Sequence, residues 1–206
     1  LAAQAAAPLP LRKRLWRQVV REKIASQAAL LEELHGSDFG LRELIRLVRS
    51  GDRTNIEAQA SQRYWKRLFQ DPQFRRNPER QDQNRFLNYG YAVLRAITAR
   101  AICAAGLHPS LGLHHHNRYN PFCLADDLME PFRPLVDRRV VEISRRDGPE
   151  AEMSPQRKTD LLAFVQRRLC FEGQQRSLFD VLARLAAALA DVFQKKRSRL
   201  LFPDWA

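Results

Sequence analysis

Apolar residues recur three and four positions apart through most of this chain, and nowhere do they alternate with period two for long enough to specify a strand. That spacing gathers them on one face of a helix. The fold class it predicts is all-α: one multi-helix domain over residues 11–202, with residues 1–10 and 203–206 as tails. Over residues 11–34, Leu15, Val19, Ile24, Ala28 and Leu31 share a face, and Gly36 suits a left-handed C-terminal cap. A shorter helix covers 41–48. Thr54 and Glu57 have the spacing of a capping box, in which the Glu side chain reaches back to an orphan backbone N–H. They open a third helix that continues through Tyr64, Trp65, Leu68 and Phe69. Residues 71–83, with Pro72 and Pro78, read as a polar loop.

Residues 84–105 are nearly apolar, which predicts a helix buried on most sides. Gly90 inside it predicts the close approach of another backbone, because a helix interior otherwise disfavours Gly by about 1 kcal/mol. Residues 121–145 predict a helix that Pro131 and Pro134 interrupt beside Glu130. Ser154-Pro155 opens a helix to 169, and Ser177 caps a last one that ends in the basic run at 195–199.

Charge narrows the function. The formal charge is +12 and the isoelectric point near 10.4. The excess rests mostly on Arg, whose planar fork binds two phosphate oxygens at once, so a polyanion such as DNA is the expected partner. Arg63, Lys66 and Arg67 lie among the aromatics of the third helix, and Arg95 sits on the mostly apolar fourth. These four are the candidate DNA contacts. Cys103, Cys123 and Cys170 are odd in number and form no CxxC pair, which predicts buried thiols in a reducing cytoplasm. No run is apolar enough to span a bilayer. Gly-rich phosphate loops and a Ser-His-Asp order are absent. Residues 1–10 carry no basic leader and the chain has no initiator Met, so a piece of a longer protein is expected.

One stretch gathers chemistry that a plain helical domain has no reason to collect. His114, His115 and His116 follow Gly112, and Asp126, Asp127 and Glu130 come soon after. Neighbouring His side chains in a loop point in different directions, so at most two of the three reach one ion. Asp127 and Glu130 share a helical face. A mixed set of carboxylate oxygen and imidazole nitrogen suits Mg²⁺ or Mn²⁺ and leaves positions for water and phosphate. In a basic protein, such a site points to phosphodiester chemistry. The competing readings are a surface His cluster, a structural zinc on the His run, and Glu57 as a helix cap only.

The order of these motifs resembles a known family. Glu57-Ala-Gln-Ala, then Asn84 with Leu87-Asn-Tyr-Gly-Tyr91, then Gly106-Leu-His-Pro-Ser-Leu-Gly112-Leu-His-His115, then Asp127-Leu-Met-Glu-Pro-Phe-Arg133 is similar to the CRISPR adaptation integrase, the Cas-one family. The run from Leu15 to Ile24 resembles the branch that accompanies the Cas-nine effector. The resemblance covers almost the whole chain, as the family's helical catalytic domain. It implies a metal-dependent DNA integrase and endonuclease of spacer acquisition that joins 3′-hydroxyl ends of DNA to repeat DNA. It implies Glu57, His115 and Glu130 as ligands of Mg²⁺ or Mn²⁺, and Asp127 as an auxiliary acid. Asn88, Tyr89 and Arg133 would line the site. It also implies a self-dimer and a small Cas-two partner, both served by an N-terminal β-domain that these residues do not encode. His108 departs from the acid usual before Pro109. The rival class is a non-catalytic helical DNA-binding module.

Overall fold

The computed structural model describes residues 1–205. Helix α2 (Leu9–His35) is the spine of the molecule. Leu15, Val19, Val20, Ile24, Ala28 and Leu31 lie along its buried face, where Pro8 precedes the first turn and Gly36 closes the last at φ 71°. Against it pack α3 (Leu41–Ile45), α4 (Ile56–Leu68), α6 (Cys123–Met129), α7 (Arg133–Asp147) and the 3₁₀ turn Glu130–Phe132. Helix α5 (Asn84–Ala104) forms a second axis and packs against α6, α7 and α9 (Leu178–Phe193). The buried apolar residues form one continuous cluster across these elements.

The fold is helical, as the periodicity predicts, with one addition. The helix expected over 155–169 stops early. It runs as α8 (Pro155–Leu162), tightens into a 3₁₀ turn at Ala163–Gln166, and gives way to a hairpin of β1 (Arg168–Phe171) and β2 (Gln174–Ser177). Phe171 pairs with Gln174 across Glu172-Gly173, both with positive φ (51° and 72°). That is the backbone twist a two-residue hairpin turn favours. Only Leu169 and Phe171 alternate inward, so the period-two signal is two residues long and the sequence hides it.

The two tails also differ from expectation. Residues 2–5 form a short helix, α1 (Ala2–Ala5), and the Gln4 amide is buried against the 106–112 loop. Its Nε2 donates to the carbonyls of His108 and Leu111, and its Oε1 accepts from the His108 N–H. At the other end the Asp204 N–H donates to the Cys170 carbonyl, and the Trp205 indole donates to Glu22 at 3.0 Å. Of the region expected as a C-terminal tail, only Ala206 lies outside the described residues. The cysteine expectation holds for Cys123 alone; Cys103 is exposed and Cys170 half-buried, and all three are free.

Gly90 admits a side chain rather than a backbone. A Cβ placed there would stand 2.4 Å from Val136 Cγ1. The absent Cβ lets α5 and α7 close together, and this seats Tyr91 and the start of α7 beside the carboxylate cluster described next.

Candidate active site

The helix expected to start with a capping box is capped differently. Asp52 receives the N–H groups of Ile56 and Glu57 at 3.0 and 2.9 Å, and Asn55 enters α4 from the left-handed region at φ 52°. With its backbone held by Asp52, the Glu57 side chain is free to point inward, and its Oε1 lies 2.5 Å from Lys23 Nζ. Lys23 sits on the buried face of α2, only 8% exposed. A second carboxylate reaches the same ammonium: Glu130 Oε2 is 2.6 Å away. Glu130 lies where Pro131 tightens the backbone into a 3₁₀ turn between α6 and α7, the interruption expected from the sequence. Its other oxygen, Oε1, pairs with Arg133 Nη2 at 2.8 Å.

Glu130 is 4% exposed. Burial alone would raise its pKa, but Arg133 and Lys23 outweigh it and hold the carboxyl down to about 2. Lys23 is likewise penalised by burial and held charged by Glu130 and Glu57, which raise its pKa. The Lys23–Glu130 contact is one of charge at short range. It joins two buried side chains at hydrogen-bonding distance.

The His run is ordered by Asp127, whose carboxylate is fully buried. Its Oδ2 accepts the N–H groups of Leu113 and His114 at 2.6 and 3.0 Å. Its Oδ1 accepts from the His115 N–H at 3.3 Å and faces His115 Nδ1 at 2.6 Å. That bond holds the proton on Nδ1, so that in the neutral ring Nε2 carries the lone pair. The Asp127 hydrogen bond is also the main reason that the His115 pKa is raised. Trp16, one helical heptad before Lys23 and on the same face of α2, stacks on the His114 ring at 4.4 Å and 4°, and meets the His115 ring edge-on. His116 Nδ1 turns away to the His115 carbonyl.

Not every expected residue joins this cluster. The Asn88 carboxamide ties the 71–83 loop, accepting from Arg76 and donating to the Pro78 carbonyl. Tyr89 faces Lys158, whose Nζ stands 5.7 Å over its ring. The tyrosine beside the site is Tyr91, with Arg133 stacked over it at 4.5 Å. Its hydroxyl and that of Tyr64 both donate to the buried Asp137, whose carboxyl burial pushes up to about 6. Arg133 lies beside Glu130. Arg95 is spent on Asp126 at 2.6 Å, and Arg63 on the Gly40 carbonyl at 3.1 Å. Lys66 and Arg67 are exposed, and Arg67 covers the Phe39 ring. Sequence reasoning missed Lys23, Trp16 and Asp137. The available signal was a lysine and a tryptophan seven apart in the apolar stripe of α2.

Among the described residues no three His, Cys, Asp or Glu side chains close on one point as a metal cage. Glu57 and Glu130 do meet at one positive charge, from two separate elements. Two carboxylates converging on a cation, beside an imidazole with a free Nε2, fit a hard divalent ion in donor chemistry.

Residues 2–162 match the family described as CRISPR associated protein Cas1. A CRISPR-associated endonuclease Cas1 of Neisseria meningitidis is 39% identical over 95% of this chain and 64% of its own length. The chain thus spans less than two thirds of that curated relative. Among solved structures, a casposase bound to an integration product superposes with a TM-score of 0.82 at 20% identity, over 97% of this chain and 69% of that one. A subunit of a Cas6-RT-Cas1–Cas2 complex gives 0.73 at 19% identity, over 92% of this chain and 24% of that one. At such identities the structures establish a shared fold. No helix here is long and apolar enough to cross a membrane among the described residues.

Proposed function

We propose, because this chain belongs to the CRISPR-associated Cas1 family, that it carries the catalytic centre of a divalent-metal-dependent DNA integrase and endonuclease. The observation that carries the reading is the convergence of Glu57 and Glu130, from separate elements, on one cationic point. Glu57, Glu130 and the Nε2 of His115 would hold Mg²⁺ or Mn²⁺. Such an ion supplies Lewis-acid polarisation of a scissile phosphate and charge stabilisation for the leaving oxygen.

The rest of the chemistry falls to the chain. Asp127 orients the His115 ring and keeps its proton on Nδ1, so that Nε2 can donate its lone pair. Arg133 neutralises the Glu130 oxygen that faces away from Lys23, which keeps a buried carboxylate ionised. Lys66 and Arg67, both exposed, would take phosphates of the DNA backbone. A 3′-hydroxyl of incoming DNA serves as nucleophile in strand transfer, and water in hydrolysis. A second copy of the chain would set the spacing that two-ended integration needs, together with a small Cas2 subunit such as the one named with Cas1 in one solved complex.

The test is strand transfer and nicking on branched DNA with Mn²⁺ and with EDTA. Glu57→Gln, Glu130→Gln and His115→Ala should each abolish the Mn²⁺-dependent product, while His114→Ala and His116→Ala retain it. DNA binding that persists with no Mn²⁺-dependent product in the unsubstituted chain would favour a non-catalytic binding module instead.

A further inference from the structure

Lys23 has no place in the reading above, yet it occupies the middle of the site. We propose that Lys23 is an internal counter-cation: its ammonium stands where a divalent ion would stand, holds Glu57 and Glu130 together while no metal is bound, and is displaced when one binds. The proposal rests on the metal reading of this site.

The geometry assigns the role. Three elements each contribute one charge: α2 gives Lys23, α4 gives Glu57, and the 3₁₀ turn gives Glu130. The oxygens that face each other across the site are Glu57 Oε1 and Glu130 Oε2, and both lie within 2.6 Å of Lys23 Nζ. Arg133 occupies the remaining Glu130 oxygen, so Oε2 is the one left for a second cation. Buried Glu130 cannot stay ionised this close to the Glu57 carboxylate without positive charge between them. With Lys23 and Arg133 in place the four charges cancel.

A hard dication bonds to oxygen at about 2.1 Å, shorter than either ammonium contact. An ion on these two oxygens therefore overlaps the volume of Nζ and would meet it as a like charge. One of the two cations must leave. The lysine stem has four rotatable bonds and Glu57 is the half-exposed member of the group, so the exit lies on the Glu57 side. The trade explains how the pocket stays assembled without metal, and it requires that metal binding work against the Lys23 contacts.

A purely structural ion pair makes the opposite forecast. If Lys23 only braces the fold, its loss loosens the carboxylates and weakens metal binding. If it competes for the same oxygens, its loss tightens metal binding while the metal-free protein becomes less stable. Calorimetric Mn²⁺ titration and thermal melts in EDTA on the unsubstituted chain, Lys23→Met and Lys23→Arg separate the two. Lys23→Met should bind Mn²⁺ about tenfold tighter or better, melt lower in EDTA, and recover the difference at saturating Mn²⁺. Lys23→Arg should resemble the unsubstituted chain. Equal or weaker Mn²⁺ binding by a folded Lys23→Met overturns the proposal.

Should Lys23→Met not fold, the ¹⁵N signal of the Lys23 ammonium in the unsubstituted chain decides. A saturable change on adding Mg²⁺ supports displacement, and no change refutes it. Glu57→Gln and Glu130→Gln are the controls for the underlying site. If they bind Mn²⁺ as well as the unsubstituted chain does, the metal assignment falls and takes the proposal with it. If they lose binding while Lys23→Met is indifferent, only the counter-cation role falls.

Discussion

Asp127 Oδ1 lies 2.6 Å from His115 Nδ1, and the same carboxylate gathers the N–H groups of Leu113 and His114. Asp127 therefore does two jobs, shaping the His loop and choosing the tautomer of one ring. The substitutions Asp127→Ala and Asp127→Asn should separate them. Alanine orphans buried donors and should cost on the order of 3 kcal/mol in urea unfolding. Asparagine can keep its oxygen on the backbone N–H groups and turn its amide toward Nδ1. The proton then moves to Nε2, so the fold should largely survive while Mn²⁺ affinity drops about 10–100-fold. A His115 tautomer unchanged by ¹⁵N NMR in Asp127→Asn would contradict this.

Gly90 and Val136 set the spacing of α5 and α7. The substitution Gly90→Ala improves helix propensity by about 1 kcal/mol but places a methyl 2.4 Å from Val136 Cγ1. Overpacking should win, for a net loss of about 1–3 kcal/mol. Adding Val136→Ala should restore part of it, which a double-mutant cycle by chemical denaturation measures.

Asp137 should leave a signature in the pH dependence of stability. Burial raises its folded-state pKa to about 6, above the ordinary 3.8, against the pull of the Tyr91 and Tyr64 hydroxyls. Below pH 3.8 the group is protonated in both states and costs nothing. As pH rises, the unfolded chain releases this proton first, so stability falls through the window from 3.8 to 6 and stays lower above it. The full effect is about 3 kcal/mol. Melts of the unsubstituted chain and Asp137→Asn from pH 4 to 8 should diverge in that sense, the native protein losing ground to the variant as pH rises. Parallel profiles would show that the carboxyl titrates normally.

DNA affinity should depend steeply on salt, because a chain with +12 formal charge neutralises phosphates on binding. The four candidate contacts are no longer equivalent. Lys66→Ala and Arg67→Ala should each reduce the slope of log affinity against log salt by about one. Arg95→Ala should change it less, since Arg95 already faces Asp126 at 2.6 Å. Fluorescence anisotropy between about 50 and 200 mM salt tests this, and a slope unaffected by Lys66→Ala and Arg67→Ala would exclude α4 as the phosphate contact.

The sequence by itself determined the helical framework, because a 3.6-residue repeat is a local property that each segment carries alone. It located α2, α4, α5 and α9, the break at Pro131, and the Ser177 cap, whose hydroxyl does accept from the Asp180 N–H. Through the order of motifs it also drew attention to Glu57, Glu130 and Arg133, which share one ion-pair cluster, and to Asp127 and His115, which pair with each other. It misjudged Asn88 and Tyr89 because facing direction on α5 depends on how α5 packs, and a neighbour in sequence is not a neighbour in space. It missed the hairpin because two inward residues are too short a repeat to stand out. Tertiary structure alone decided which side chain meets the two carboxylates. Lys23 stands 34 residues from Glu57 and 107 from Glu130 in the sequence, and only the packing of α2 against α4 and the 3₁₀ turn brings the three together. A buried charge is set by what surrounds it, and no local pattern encodes its surroundings.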